Sequence, residues 1–217
     1  MRIDVFSDVV CPWCFVGKRR LEEALATAGI TDAAVHYHAF QLNPDLPPGG
    51  MDRQEYMRRK FGEPGNVERI HDRVREAGKS AGIEFRFDRI TRSPNTFDAH
   101  RLLALADSQG RQVALKDALM SAYFLEGRDI GDRTVLSDIA AKVGMTGDVP
   151  AWLAGDAASD EVRADLITAA RLEISGVPFF IFGGRYALAG AQPPEVFAQA
   201  VDAARRLPDP EPAGPIG

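Results

Sequence analysis

Cysteine is scarce in this sequence: the 217 residues hold two, Cys11 and Cys14, which excludes a disulfide framework as the source of stability. No stretch approaches the roughly 18 consecutive apolar residues of a membrane-spanning helix, so no membrane partner is expected. Nor is there an unbroken apolar run at the start, where Asp4 and Asp8 interrupt Met-Arg-Ile-Asp-Val-Phe-Ser-Asp. A secretory signal needs such a run, and a cytoplasmic setting is expected. Basic residues are in the minority, 26 against 31 acidic ones, for a formal charge of -5. That balance gives no general attraction to nucleic acid or anionic lipid. Internal repeats are absent, and the one biased stretch, the proline-rich end at 208–217, reads as a frayed tail. What remains, 45% hydrophobic and 26% charged, suits a soluble globular protein with one core, or a core plus an inserted lobe. No feature specifies an oligomeric state.

The two cysteines lie in Val10-Cys11-Pro12-Trp13-Cys14-Phe15. Before them, residues 2–7 alternate Ile3 and Val5 with Arg2 and Asp4, the pattern of a short strand. From Pro12 to about Ala28 the apolar residues Phe15, Val16, Leu21 and Leu25 recur at helical spacing, Pro12 suits a first-turn position, and Gly29 is a natural stop. A second alternating stretch at 34–40 completes a right-handed βαβ unit with parallel strands. The Pro- and Gly-rich segment 41–50 takes the chain out of the sheet. Helices are then expected at Asp52–Phe61, Val67–Ala81, Asn95–Ser108, Arg111–Phe124, Thr134–Val143 and Asp160–Glu173. Strand character returns at 178–182, Gly183-Gly184 predicts a hairpin closed by a two-residue turn, and a last helix opens at Pro193-Pro194. Phe179, Phe180 and Phe182 read as strand core.

A Cys-x-x-Cys pair at the start of a helix has a specific chemical use. The first thiol sits where unpaired backbone N–H groups and the positive end of the helix dipole favour a thiolate, so Cys11 is expected to be ionised and nucleophilic. Cys14 follows one turn later on the same face, placed to attack a mixed disulfide on Cys11. Pro12-Trp13 brings no cation, and Asp8 would oppose ionisation by like charge. Two other readings compete. Cys11, Cys14, His36 and His38 could form a zinc set, which would make the chain a noncatalytic metal-binding or interaction module. Alternatively, the cysteines could be two inert core residues.

Cys-Pro-Trp-Cys after a short strand, a long helical insertion, and Gly-Val-Pro-Phe-Phe at 176–180 before a hairpin together resemble the DsbA family of thioredoxin-fold oxidoreductases, and in particular its FrnE-type branch. The segments at 40–46 and 93–101 are similar to that branch too. The resemblance implies an α/β thioredoxin fold with a large all-helical insertion: a discontinuous domain at 1–43 and 174–207, the insertion at 44–173, and the tail at 208–217. It implies that Pro178 is cis and faces the cysteines, exposing the backbone of Val177 to an extended substrate. Pro12, Trp13 and Asn95 are further candidates for substrate contact, although Asn95 also suits a cap on the helix that follows. Trp13 reads as a wall of the site, and His100 as a helix-surface or lobe-interface residue rather than a base.

The expected activity is thiol–disulfide exchange on client proteins or small-molecule disulfides and dithiols, with no metal and no cofactor beyond the cysteine pair. The same superfamily holds glutathione-dependent relatives, the kappa-class transferases and the 2-hydroxychromene-2-carboxylate isomerases, which place a serine where this chain has Cys11. The alternative is therefore an isomerase or transferase acting on a small aromatic or polyketide-like substrate, with glutathione as cosubstrate.

Overall fold

A computed structural model describes residues 1–206, so the tail read at 208–217 lies outside the described residues. The chain opens with β1 (Arg2–Ser7), α1 (Pro12–Thr27) and β2 (Ala34–Ala39). A lobe follows, built from β3 (Met51–Asp52), α2 (Arg53–Phe61), α3 (Pro64–Ser80), β4 (Arg92–Ser93), α4 (Phe97–Ser108), α5 (Gln112–Phe124), α6 (Arg133–Lys142), α7 (Val149–Ala154) and α8 (Ser159–Arg171). The chain returns through β5 (Phe179–Phe182) and β6 (Tyr186–Ala189) to α9 (Pro194–Arg206). The main sheet has the order β2-β1-β5-β6; β1 and β2 are parallel, and the remaining pairs are antiparallel. This is an α/β thioredoxin fold with a helical insertion, as the resemblance implied.

Three details depart from the sequence reading. A short helix, α7, stands where none was expected; Asp148 caps it by accepting from the Ala151 N–H at 3.0 Å, and proline lies in its first turn. The loop after β2 is tied down by the two-residue β3–β4 ladder. The hairpin connection is three residues long rather than two. Gly183 and Gly184 take positive φ and the Arg185 N–H reaches the Phe182 carbonyl at 3.1 Å, but pairing resumes only at Tyr186 opposite Phe182.

The alternation of the strands sorts their side chains between two faces. Ile3, Val5, Tyr37, Phe180 and Phe182 point to one side, where Leu21 and Ala24 of α1 and Phe197, Ala200, Val201 and Ala204 of α9 cover them. Phe6 faces the other side with Ala169 and Ile174, joined by half-buried Phe179 and Ile181. Helix α1 divides its own length between two cores. Its C-terminal half belongs to the sheet core, whereas Cys14, Phe15 and Val16 belong to the large apolar cluster of the lobe, with Val74, Phe85, Leu102, Leu115, Leu119 and Phe124. The cysteines therefore lie on the seam where lobe and sheet meet.

The seam is closed by polar side chains as well. β2 is an edge strand, whose outward N–H and C=O groups would otherwise invite pairing with another chain. Gln112, at the start of α5, accepts from the Tyr37 N–H at 2.7 Å and donates to the Tyr37 carbonyl at 3.0 Å, as a neighbouring strand would. Asp165 of α8 accepts from the Ala39 N–H at 2.8 Å. Between them, His38 bridges two carboxylates, with Nδ1 2.7 Å from Asp165 and Nε2 2.8 Å from Asp4.

Burial of His38 opposes its charge, but the bonds to Asp165 and Asp4 outweigh burial and raise its pKa above the ordinary value of 6.5. A raised histidine pKa stabilises the fold fully below the unfolded value and less as pH climbs through the folded one. The stability difference between wild type and His38→Gln, from denaturant melts, is therefore expected to be largest below about pH 6.5 and to shrink as the solution turns alkaline. A difference independent of pH would show that the bridge carries no charge.

Candidate active site

The turn Ser7-Asp8-Val9-Val10 carries the chain from β1 into α1, and the Cys11 N–H closes it on the Asp8 carbonyl at 3.2 Å. Cys11 is the helix N-cap, with φ -90 and ψ 112, and Pro12 enters the first turn. Both thiols are free and nearly out of contact with water, Cys11 at 3% and Cys14 at 2% exposure. Pro178 stands across from them after a cis Val177–Pro178 peptide. The Cys11 Sγ donates to the Val177 carbonyl at 3.5 Å, a contact between positions 166 residues apart. Gly17 allows this approach: a Cβ there would lie 3.0 Å from the Pro178 Cγ and 3.2 Å from the Phe180 ring.

The surroundings of the two sulfurs act against the helix-terminus effect. The Cys11 side chain accepts no capping bond. Pro12 has no N–H to give, the N–H groups of Cys14 and Phe15 reach the Cys11 carbonyl at 3.1 and 3.3 Å, and the Cys14 N–H also favours charge on the Cys11 sulfur. The hydrogen bond with Cys14, burial and the nearby Asp8 charge together push the Cys11 pKa well above its ordinary value. Burial also works against ionisation of Cys14, but the bond from Cys11 and the charge of Lys116 overcome it, and its pKa falls below the ordinary value. The two thiols are thus acted on unequally, in the direction opposite to the one that the helix terminus alone suggests. The like-charge effect expected of Asp8 on Cys11 is present.

Asp8 is fully buried and fully employed. One carboxylate oxygen accepts from the Leu42 N–H at 2.8 Å, and the other lies 3.3 Å from the His100 Nε2. Burial raises its pKa, but His100, the Leu42 N–H and Lys116 outweigh burial and leave it lowered. His100 is thus a buried lobe residue facing the sheet side rather than a helix-surface one. Lys116 lies on α5, wholly buried, with Nζ donating to the Ser7 carbonyl at 3.3 Å and 5.3 Å from the centre of the Tyr37 ring. Sequence reasoning missed it.

A model of the DSBA-like thioredoxin domain matches residues 2–202. The chain belongs to this family. Among solved structures, a probable DsbA oxidoreductase from Streptomyces coelicolor superimposes with a TM-score of 0.86 at 36% identity, covering 100% of this chain and 97% of its own. The uncharacterized protein YwbO of Bacillus subtilis is 27% identical over 207 residues, which span 93% of this chain and 96% of YwbO. The same fold is found in the cytosolic disulfide reductase DsbM of Pseudomonas aeruginosa, solved with GSH, at TM-score 0.66 and 23% identity over 95% of this chain and 100% of DsbM. The family includes thiol–disulfide oxidoreductases and isomerases.

In this DSBA-like domain the other residues singled out from the sequence divide clearly. Pro12 and Trp13 are half-buried beside the cysteines, and Trp13 packs on the lobe core together with Val177. Asn95 is spent on structure: its Oδ1 accepts from the Phe97 N–H at 2.9 Å and from Gln41 at 3.2 Å, while its Nδ2 donates to the Leu46 carbonyl at 2.6 Å. It ties the loop after β2 to α4. His36 and His38 turn to carboxylates, Asp107 for the first and Asp4 and Asp165 for the second. Among the described residues, no group of three or more His, Cys, Asp or Glu is arranged to hold a metal ion.

Filling the space that Gly17 leaves tests how the site is assembled. Gly17→Val forces α1 away from Pro178 and is expected to cost about 1 to 3 kcal/mol in denaturant melts. Gly176→Ala, at a position with open space around it, should stay within about 0.5 kcal/mol of wild type. Equal stability of the two variants would show that α1 does not need its close approach to Pro178.

Proposed function

We propose that this protein is a dithiol–disulfide oxidoreductase working through Cys11 and Cys14 on client proteins or small disulfides in the cytoplasm. The observation that carries the reading is the contact of the Cys11 Sγ with the Val177 carbonyl, beside a second thiol three residues on in the same helix. An extended client that pairs with the backbone at Val177 would bring its own sulfur up to Cys11.

The exchange needs no further reagent. As the Cys11 sulfur, in its thiolate form, attacks one sulfur of a client disulfide, the client S–S bond breaks, and the second client sulfur departs as a thiolate. Cys14 then gives up its own proton to the released thiolate, and its electron pair forms the Cys11–Cys14 bond. The bond from Cys11 to the client breaks in the same step, and a second client thiolate leaves. Read backwards, the same steps deliver a disulfide. Glutathione, with which DsbM was solved, is the small thiol we propose as redox partner.

Reduction of a model protein disulfide checks the assignment. Cys11→Ser should lower the rate by at least about a hundredfold, because no other sulfur lies against Val177. Cys14→Ser should accumulate mixed disulfides on Cys11, visible as added mass that a reductant removes. A Cys11→Ser protein that still turns over at the wild-type rate would defeat the reading. Turnover of a small aromatic substrate with glutathione that survives Cys14→Ser would favour the isomerase or transferase alternative instead.

A further inference from the structure

The lobe holds a cleft that the thiol chemistry leaves unused. It lies between α2, α3 and the single turn Phe87–Arg89, with a volume of about 650 Å³, inside the range of roughly 300 to 1,000 Å³ in which small organic molecules bind. Neither cysteine lines it, nor do Val177 and Pro178. Its apolar wall is made by Met57, Phe87 and Ile90, each buried, and by half-buried Val67. His71 also lines it and stacks on Phe87, with ring centres 4.2 Å apart and planes 12° from parallel. The Nε2 of His71 is buried and has no hydrogen-bond partner among the described residues, which is uncommon for a polar atom in a protein interior. A ring pair and a pliable methionine side by side suit a planar, apolar body.

Charge at the cleft is unbalanced. Two arginines of α2 line it. Arg58 is exposed, and among the described residues its side chain makes no hydrogen bond and no ion pair. Arg53 reaches only neutral partners: the Ser93 hydroxyl at 3.3 Å, the Tyr123 hydroxyl at 3.5 Å and the face of Tyr56, 5.6 Å from the ring centre. A guanidinium offers five donors in a planar fork, and a carboxylate is the group that matches it. Three acids stand at the same cleft. Glu68 is held by Arg75 at 2.6 Å and Asp88 by Arg86 at 2.7 Å, which leaves Glu63, at the turn before α3, against the two arginines. We propose that this cleft binds a small aromatic carboxylate, its ring against Met57, Phe87 and Ile90 and its acid group answering Arg53 and Arg58. The arginines, rather than the apolar wall, select the acid, because a neutral ring of the same shape leaves both of them without an anion. The site is separate from thiol exchange and does not depend on that reading.

Binding of naphthoate, a flat aromatic acid, to the full-length protein tests this, read from the side-chain resonances of Met57, Phe87 and Ile90, with naphthamide as the neutral molecule of the same shape. Naphthoate is expected to bind saturably at one site, with the shifts concentrated on those residues and an affinity at least about tenfold above that of naphthamide. Arg53→Gln and Arg58→Gln should each weaken naphthoate by about five- to tenfold and leave naphthamide unchanged. Arg163→Gln, on α8, should change neither, which separates a local contact from the loss of one positive charge. The Arg58 side chain holds no other residue in place, so its variant keeps the fold, and the comparison of acid with amide needs no variant at all. Equal affinity for acid and amide, shifts that fall outside the cleft or fail to saturate at millimolar probe, or arginine variants that bind naphthoate as the wild type does, would overturn the proposal. Cys11→Ser, which ends exchange on the reading above, should bind naphthoate unchanged; loss of binding there would place the probe at the thiols and overturn the site as well.

Discussion

Two thiols removed from water and close to one another cannot both ionise. This constraint organises the site. Cys11 and Cys14 share one buried place at the start of α1, and the surroundings act on them unequally. Asp8 disfavours charge on Cys11, whereas Lys116 favours it on Cys14. Cys11 is the sulfur lying against the Val177 carbonyl, where an incoming chain would pair.

The fold serves this arrangement by running α1 through two cores. Leu21 and Ala24 anchor the helix on the sheet, and Phe15 and Val16 anchor its beginning in the lobe. Gly17, between these sets, lets the helix touch Pro178. Neither the sheet nor the lobe alone would complete the site, since Val177 follows the lobe and leads into β5 while Lys116 and His100 come from the lobe itself. The lobe also covers the edge of β2 through Gln112 and Asp165, and the same contacts aim α5 at the cysteines.

Much of the fold was legible in local patterns. The βαβ start, the helices of the lobe and the glycine hairpin follow from alternation, helical spacing and turn residues, each of which acts over a few positions. The cysteine pair was legible for the same reason. Helix α7 carried a signal that could have revealed it, Asp148 followed by Pro150, but its six residues are too few to show a helical period. The electrostatics were not legible. Lys116 bonds Ser7 across 109 positions, His100 meets Asp8 across 92, and Gln112 meets Tyr37 across 75. Lys116 lies between Leu115 and Asp117 like any polar residue on a helix, with nothing nearby in sequence to mark it as buried. Judging Cys11 from the helix terminus alone left out burial and these distant partners, which act on both sulfurs.

The most direct test of the account is an equilibrium titration of the purified protein against glutathione buffers, with the Cys11–Cys14 linkage followed by mass spectrometry after acid quench. The account expects one reversible two-electron transition in which both thiols disappear together and the two sulfurs are joined to each other. Independent modification of the two cysteines, with no bond ever forming between them, would contradict it.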